Sequence, residues 1–241
     1  MNGLQMAALY GKKPQELGFC GPQEKKINLV LSNFLQGKDV LKKEVRDILR
    51  QFASAYGYLK LIARKNHIKD PFNLRVVEAY WLGNGLLDQV TVEDLRQLVI
   101  EEFTKPGLLS KAEAEERVSD LPKGSLAHHS WHVMVLGAIS GRIVIKGKLI
   151  DLCRIGWGKV VKVGNGRLFV KYRPILGNGQ LRFGREIVKE IYWNSDIIPE
   201  IERGDLITFH WKTVCQKITP RQAQALEGCT KKTLSTLKRK G

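Results

Sequence analysis

Apolar residues in the first half of the chain recur with the period of a helix. Between Gln23 and Gln36, residues Ile27, Val30, Leu31, Phe34 and Leu35 fall at i, i+3, i+4, i+7 and i+8, and Gly37 follows. That spacing predicts an amphipathic helix with a glycine stop. A longer stripe of Val45, Ile48, Leu49, Phe52, Tyr56, Leu59 and Ile62 predicts one helix from about Asp39 to His67. Asp70-Pro71 has the form of an N-cap followed by proline at the first helical position, opening a helix through Trp81 that Gly83-Asn84-Gly85 stops. Thr91-Val-Glu-Asp94 and Ser110-Lys-Ala-Glu113 are capping-box patterns, each starting a further helix. With a short helix over residues 2–10, the first 120 residues read as an all-α bundle.

After Gly147 the period shortens to two. Strands are predicted at Lys159–Val163, Arg167–Tyr172, Gln180–Phe183, Ile187–Trp193 and Leu206–Lys212. Gly164-Asn165-Gly166 and Gly177-Asn178-Gly179 supply the turn chemistry that tight hairpins need. Thr219-Pro220-Arg-Gln222 starts a closing helix, and a second short one is predicted from Thr230 to Lys238, with Leu234 and Leu237 packing back. The fold class is therefore α+β: an all-α N-terminal domain over 1–147, then a small OB/SH3-like β-barrel with a C-terminal helix over 148–241.

Composition allows this division, because 241 residues suffice for two modest domains, each with a core. The best apolar run, Trp131 to Ile145, is too short for a membrane span and is broken by Ser140, Gly141 and Arg142. No secretion signal is evident at the N-terminus. Four widely spaced cysteines (20, 153, 215 and 229) suit free thiols in a reducing cytoplasm, where the protein is expected to reside. The net charge of +16 is uneven: residues 1–147 hold 21 Lys and Arg against 16 Asp and Glu, and residues 148–241 hold 19 against 8. A basic barrel implies an acidic partner, either nucleic acid or an acidic protein surface, unless the excess only serves solubility.

Three groups carry candidate chemistry. Cys20 lies in a compact Gly-Phe-Cys-Gly-Pro turn, either exposed for metal or redox chemistry or buried as a small core residue. Glu78 interrupts an apolar stretch, and a pairing with Arg75 or an exposed position competes with a catalytic role. His128, His129 and His132 fall within five residues, and a helix or a strand would bring 128 and 132 to one side. Such convergence suits a metal or a proton relay, with Cys20 or Glu78 available to complete the set, and structural hydrogen bonding at the junction is the alternative. Gly156-x-Gly158-Lys159 is no phosphate loop, since no Ser or Thr follows the lysine and a strand comes next.

The stretch Cys153-Arg-Ile-Gly-Trp-Gly158-Lys-Val-Val-Lys-Val resembles the opening of the HypC/HupF hydrogenase-maturation chaperones. Gly204-Asp205-Leu-Ile-Thr-Phe-His210 is similar to their Gly-Asp-x-x-x-x-His strand, and Thr219 to Leu237 resembles their closing helix. Trp157 stands where that family has proline, Trp211-Lys212 replace small residues, and Cys153 is internal where the family's cysteine becomes the mature N-terminus. The resemblance implies a transient iron held by Cys153, with His210 as its companion. It also implies docking to a hydrogenase maturation factor or hydrogenase large subunit, for which Arg154, Lys159 and Trp157 are the candidate contacts. Arg154 and Lys159, if close, would lower the thiol pKa. The Gly-Phe-Cys-Gly-Pro turn, Val-Val-Glu-Ala-Tyr-Trp, His-His-Ser-x-His and the basic barrel together resemble an uncharacterised family of prokaryotic proteins, which implies no activity.

Three functions follow as expectations. The first is a hydrogenase-associated accessory protein, in which Cys153 and His210 approach each other and are partly exposed. The second is an RNA-binding barrel using Lys159, Lys162, Arg167, Lys171 and Arg173, with Tyr172 and Trp193 for stacking. The third is a metal- or thiol-dependent enzyme with a closed pocket between the domains, where Cys20 meets His128 or His132.

Overall fold

The computed structural model of the protein describes residues 1–105, 107–177 and 180–237. Among them the N-terminal part is helical: α1 (Gly3–Glu16), α2 (Lys25–Leu35), α3 (Lys42–Arg50), α4 (Ala53–Lys65), α5 (Leu74–Trp81), α6 (Val92–Glu102) and α7 (Lys111–Val118). A single helical turn, α8 (His129–Trp131), runs into a π-helical turn over His132–Leu136, and α9 (Lys148–Cys153) leads to the sheet. No helix among the described residues is long and apolar enough to cross a membrane.

Thr91 and Ser110 make the expected capping boxes, each side chain accepting from the N–H three residues on while Asp94 and Glu113 reach back. Thr91→Ala is expected to lower stability by about 1 kcal/mol, read by urea unfolding.

Two helix expectations need correction. The helix expected from Asp39 to His67 is split, because Phe52 leaves helical geometry (φ −78°, ψ 75°) and seats its ring against Gly11 and Gly21. The apolar stripe is unbroken across a change of axis. The helix expected from Asp70 starts at Leu74, capped by Asn73. Asp70 is otherwise engaged, accepting from both Arg46 Nη atoms (2.6 and 3.1 Å) and from the Phe72 N–H (3.0 Å).

The second half is built from β1 (Gly156–Gly164), β2 (Arg167–Tyr172), β3 (Ile175–Leu176), β4 (Arg182–Phe183), β5 (Ile187–Tyr192), β6 (Leu206–His210), β7 (Thr213–Lys217) and α10 (Pro220–Leu237). The five-stranded sheet has the order β1-β2-β5-β7-β6, and β6 pairs back onto β1, so the sheet closes on itself. Thus the expected α+β order of helices, sheet and C-terminal helix holds. The strand expected at Gln180–Phe183 shrinks to β4, which pairs only with β3 in a separate two-stranded sheet. Of the expected Gly177-Asn178-Gly179 turn, the last two residues lie outside the described residues.

The strand expected to run to Lys212 stops at His210, because Trp211 and Lys212 both take positive φ (49° and 58°) and turn the chain into β7. No glycine or asparagine marks that turn, so β7 left no signal. At the end, one continuous helix replaces the two expected, running through Gly228 without a break. The expected end at Lys238 lies outside the described residues.

The largest apolar core fills the helical bundle and takes in Ile155, Cys215, Ile218 and Leu226 from the second half. A second core of Val160, Leu168, Val170, Ile191, Ile207 and Phe209 fills the closed sheet. Helix α1 joins them: the Tyr10 hydroxyl lies 2.7 Å from Thr208 Oγ1 on β6, and the Tyr10 carbonyl accepts from His210 Nδ1 at 2.8 Å. The site described next sits on this seam.

Candidate metal centre

Three elements end at one point. Cys153 closes α9, His210 closes β6, and His129 opens α8. Their ligand atoms all lie within 4.8 Å of one another, and all three residues are buried. Cys153 and His210 are therefore together, as expected, but enclosed rather than partly exposed. His129, grouped in the sequence with Cys20, His128, His132 and Glu78, joins them.

His128 stays out of the cluster for a local reason. His128 is the N-cap of α8, with extended backbone (φ −125°, ψ 148°), so it shares no helical face with His132. Its Nδ1 instead accepts from the Ser130 N–H at 3.0 Å.

Hydrogen bonds fix the tautomers. A carbonyl only accepts, so His210 must carry its proton on Nδ1 to bond Tyr10. That leaves a lone pair on His210 Nε2, which is buried and has no hydrogen-bond partner among the described residues. His129 Nε2 lies 2.8 Å from the Cys153 carbonyl and Nδ1 lies 3.1 Å from the Tyr80 hydroxyl. By the same rule the Cys153 carbonyl holds His129 in its Nε2–H tautomer, with Nδ1 accepting from the Tyr80 hydroxyl.

Burial dominates the electrostatics. It pushes His210 and His132 down to about 4, and His129 well below the ordinary imidazole value with help from the neighbouring His210 and His132. These rings are neutral at pH 7, the form that binds metals. Burial also pushes the Cys153 thiol well up, with Cys20 adding to the rise and the Trp211 indole opposing it. The expected acidification of Cys153 by its neighbour is absent. Arg154 is fully buried and turns its guanidinium to Asp151 at 2.9 Å.

Beside the three ligands is a cavity of about 110 Å³, walled by aromatic and apolar groups including Phe19, Tyr80, Trp81 and Trp211. Cys20 and His132 also line it. The pocket expected between the halves thus exists, and it gathers Cys20 and His132 with Cys153 and His210. Burial raises Cys20 to about 11, and Arg142 opposes that rise. Glu78 stays outside this cavity, accepting from Gln222 Nε2 at 2.6 Å and Asn84 Nδ2 at 3.3 Å.

The docking and nucleic-acid candidates are dispersed. Arg154 is no surface contact, Trp157 is half-buried with Arg154 5.1 Å above its ring, and Lys159 is exposed. Tyr172 is buried, and Trp193 is half-buried with its Nε1 donating to the Ile198 carbonyl, so neither is presented for stacking. Arg167 and Lys171 pair with Glu190 and Glu186, which reduces the free charge of that face.

Sequence reasoning passed over Tyr80 and Trp81, although both stand beside Glu78 in the motif that drew attention to it. A carboxylate in an apolar run is a conspicuous signal; aromatic residues in a helix are read as core. Here they are core and cavity wall together.

Comparison with known proteins agrees with the extent of the whole-chain likeness. The chain belongs to DUF6390, a family of unknown function, whose model matches residues 1–241. No curated protein and no solved structure matches. Nothing in these comparisons supports the likeness to the HypC/HupF chaperones.

Proposed function

We propose that this protein binds one transition-metal ion through Cys153, His210 and His129, with a coordination position open to the adjoining cavity. The observation that carries the reading is the His210 ring. Its tautomer is fixed by Tyr10, its Nε2 lone pair is buried without a partner, and a thiol and a second imidazole lie within reach. An unpaired buried acceptor costs about 1–3 kcal/mol, which coordination would offset. Protein bonds to such ions run about 2.0–2.3 Å, so side-chain rotation must draw the three atoms inward from their present spacing.

Three side-chain ligands with an open position are the pattern of reactive sites, whereas structural sites close with four. The function we favour is therefore metal handling or metal-dependent chemistry on a small molecule admitted to the cavity. Iron, as the resemblance implied, is one ion that a thiolate would take, but the donor set does not single it out. On this reading residues 1–147 and 148–241 are two modules, the second a small barrel of the OB/SH3 kind, with the metal at their seam. A hydrogenase partner rests on the resemblance alone.

Metal must replace the Cys153 proton, while the histidines are already neutral. About one proton should be released per ion bound at pH 7, with affinity rising roughly tenfold per pH unit below the thiol pKa. Metal-free protein titrated with Co(II) in weak buffer, beside Cys153→Ala and His210→Gln, tests this. Stoichiometric binding with a thiolate charge-transfer band, lost in Cys153→Ala, is the expected result. Binding that ignores both substitutions would end the proposal.

A further inference from the structure

The donor set also bears on which metal the site selects, an inference that rests on the metal site proposed above. Its composition is two imidazoles and one thiolate. No fourth His, Cys, Asp or Glu belongs to the cluster among the described residues, although Cys20 and His132 line the same cavity. Zinc in protein sites is held tetrahedrally by nitrogen, sulfur and carboxylate oxygen, with water or substrate in any position the protein leaves open. A trigonal His₂Cys set with a weak oxygen or sulfur donor on its axis is instead the preference of copper.

The surroundings supply that weak donor. The carbonyl of Cys153 lies 2.8 Å from His129 Nε2 and also close to the His210 ring, so it stands beside two of the three ligands. In the metal-free arrangement it holds the His129 proton. If His129 takes the other tautomer, with Nδ1 donating to the Tyr80 hydroxyl, Nε2 is released to the metal and the carbonyl is left as a distant oxygen. Tyr80 can follow that exchange without moving far, since its hydroxyl changes only from donor to acceptor.

Enclosure points the same way. The ligands are buried among Trp81, Trp211 and Tyr80, with the Trp81 and His129 ring centroids 4.5 Å apart. The Trp211 indole N–H has no conventional acceptor and lies near the Cys153 sulfur. Hydrophobic enclosure and an N–H donor at the sulfur are the features that tune copper–thiolate centres. There is no carboxylate in the ligand cluster to favour a harder ion.

We propose that the Cys153–His129–His210 site is a copper site, three-coordinate in these side chains, with the Cys153 carbonyl as a weak axial oxygen. Both Cu(I) and Cu(II) fit the ligand set, and passage between them needs one electron from or to an external one-electron carrier and no protein proton once the thiolate is formed.

The test uses the full chain, freed of metal and reduced, and loaded separately with Cu(I), Cu(II), Zn(II) and Co(II) under chelator competition. Copper should bind one to one and outcompete zinc by at least 100-fold. Cu(II) should give an intense visible thiolate-to-copper band, and X-ray absorption of the Cu(I) form should show one sulfur and two nitrogen neighbours. Cys153→Ser should lose the band. His210→Gln should weaken copper by at least tenfold, and circular dichroism of both variants shows whether they fold. If Co(II) or Zn(II) binds through Cys153 but Cu(II) gives no such band, or X-ray absorption finds two sulfurs, the copper assignment fails and the metal site stands. If no ion binds in a manner dependent on Cys153, both fail.

Discussion

Asp151→Ala is expected to destabilise the protein by about 3–5 kcal/mol, the usual cost of stripping the partner from a buried charge. Asp151 lies in α9, two residues before Cys153, and its carboxylate is almost wholly enclosed. It accepts from Arg154 Nε (3.1 Å) and Nη2 (2.9 Å), from the Ile175 N–H (2.8 Å) and from the Tyr172 hydroxyl (2.8 Å). Lys189 Nζ stands 3.6 Å away. Arg154 has no exposed side-chain surface and also donates to the carbonyls of Ile155 (3.1 Å) and Arg173 (2.7 Å).

One carboxylate therefore ties α9 to β2 and β3, and its loss leaves a guanidinium, a hydroxyl and a backbone N–H short of an acceptor. Asp151→Asn keeps one acceptor oxygen and should cost less. The double replacement Asp151→Leu with Arg154→Met should recover part of the loss, because no charge then remains buried. Urea unfolding of the four proteins reads this directly. A single Asp151→Ala within about 0.5 kcal/mol of the parent would mean that the network is not closed to water.

Much of the architecture was legible because periodicity reports burial. The stripe from Val45 to Ile62 named buried core residues, with Tyr56 half-buried against them, even though the helix breaks at Phe52, since the chain bends while the same face stays inward. Capping chemistry is local, and Thr91 and Ser110 were read for what they do. What failed was whatever depended on distant atoms. Asp70 reads as a cap until Arg46, 24 residues away, occupies it. The turn at Trp211-Lys212 is set by packing, with Trp211 against Phe19 at 4.6 Å, rather than by turn-forming residues.

The site shows the same division. Cys153 and His210 were found through a motif resemblance, and the histidine run was found by composition. That His129 joins Cys153 and His210 while His128 stays apart follows from one N-cap dihedral, which no spacing rule carries. Arg154, read as a surface cation, is the most thoroughly buried charge of the second half among the described residues. Its partner three residues earlier was in plain view, but an i,i+3 ion pair is usually a solvated one.

Mild acid should unfold this protein, in the range of about pH 4 to 6. His128, His129, His132 and His210 are all buried and held below the ordinary imidazole value, at about 3 for His128 and about 4 for His132 and His210. Burial is the first cause in each, since a low-dielectric site disfavours the imidazolium. In the unfolded chain the same groups titrate near 6.5. Below that value the unfolded state takes up protons that the folded state refuses, so stability falls as pH falls.

The contribution is fully present above about pH 6.5 and is lost progressively toward the folded pKa values. Each histidine sets a slope of at most about 1.4 kcal/mol per pH unit. Four together reach about 5.5 kcal/mol per unit, against a typical total of about 5–15 kcal/mol for a domain. Lowered carboxylates such as Asp70 and Asp94 act in a separate window, beginning only near their unfolded values of about 4. Urea unfolding at half-unit steps from pH 7.5 to 4.5 separates these contributions. The expected curve is flat above about 6.5 and steep below it, and His128→Gln, which spares the proposed ligands, should make it shallower. Bound metal adds to the slope, because protonation of His129 and His210 competes with coordination in the same range. A stability that stays level from pH 7.5 to 5 would show that these rings reach water, and an open histidine cluster would also remove the enclosed metal site argued from it.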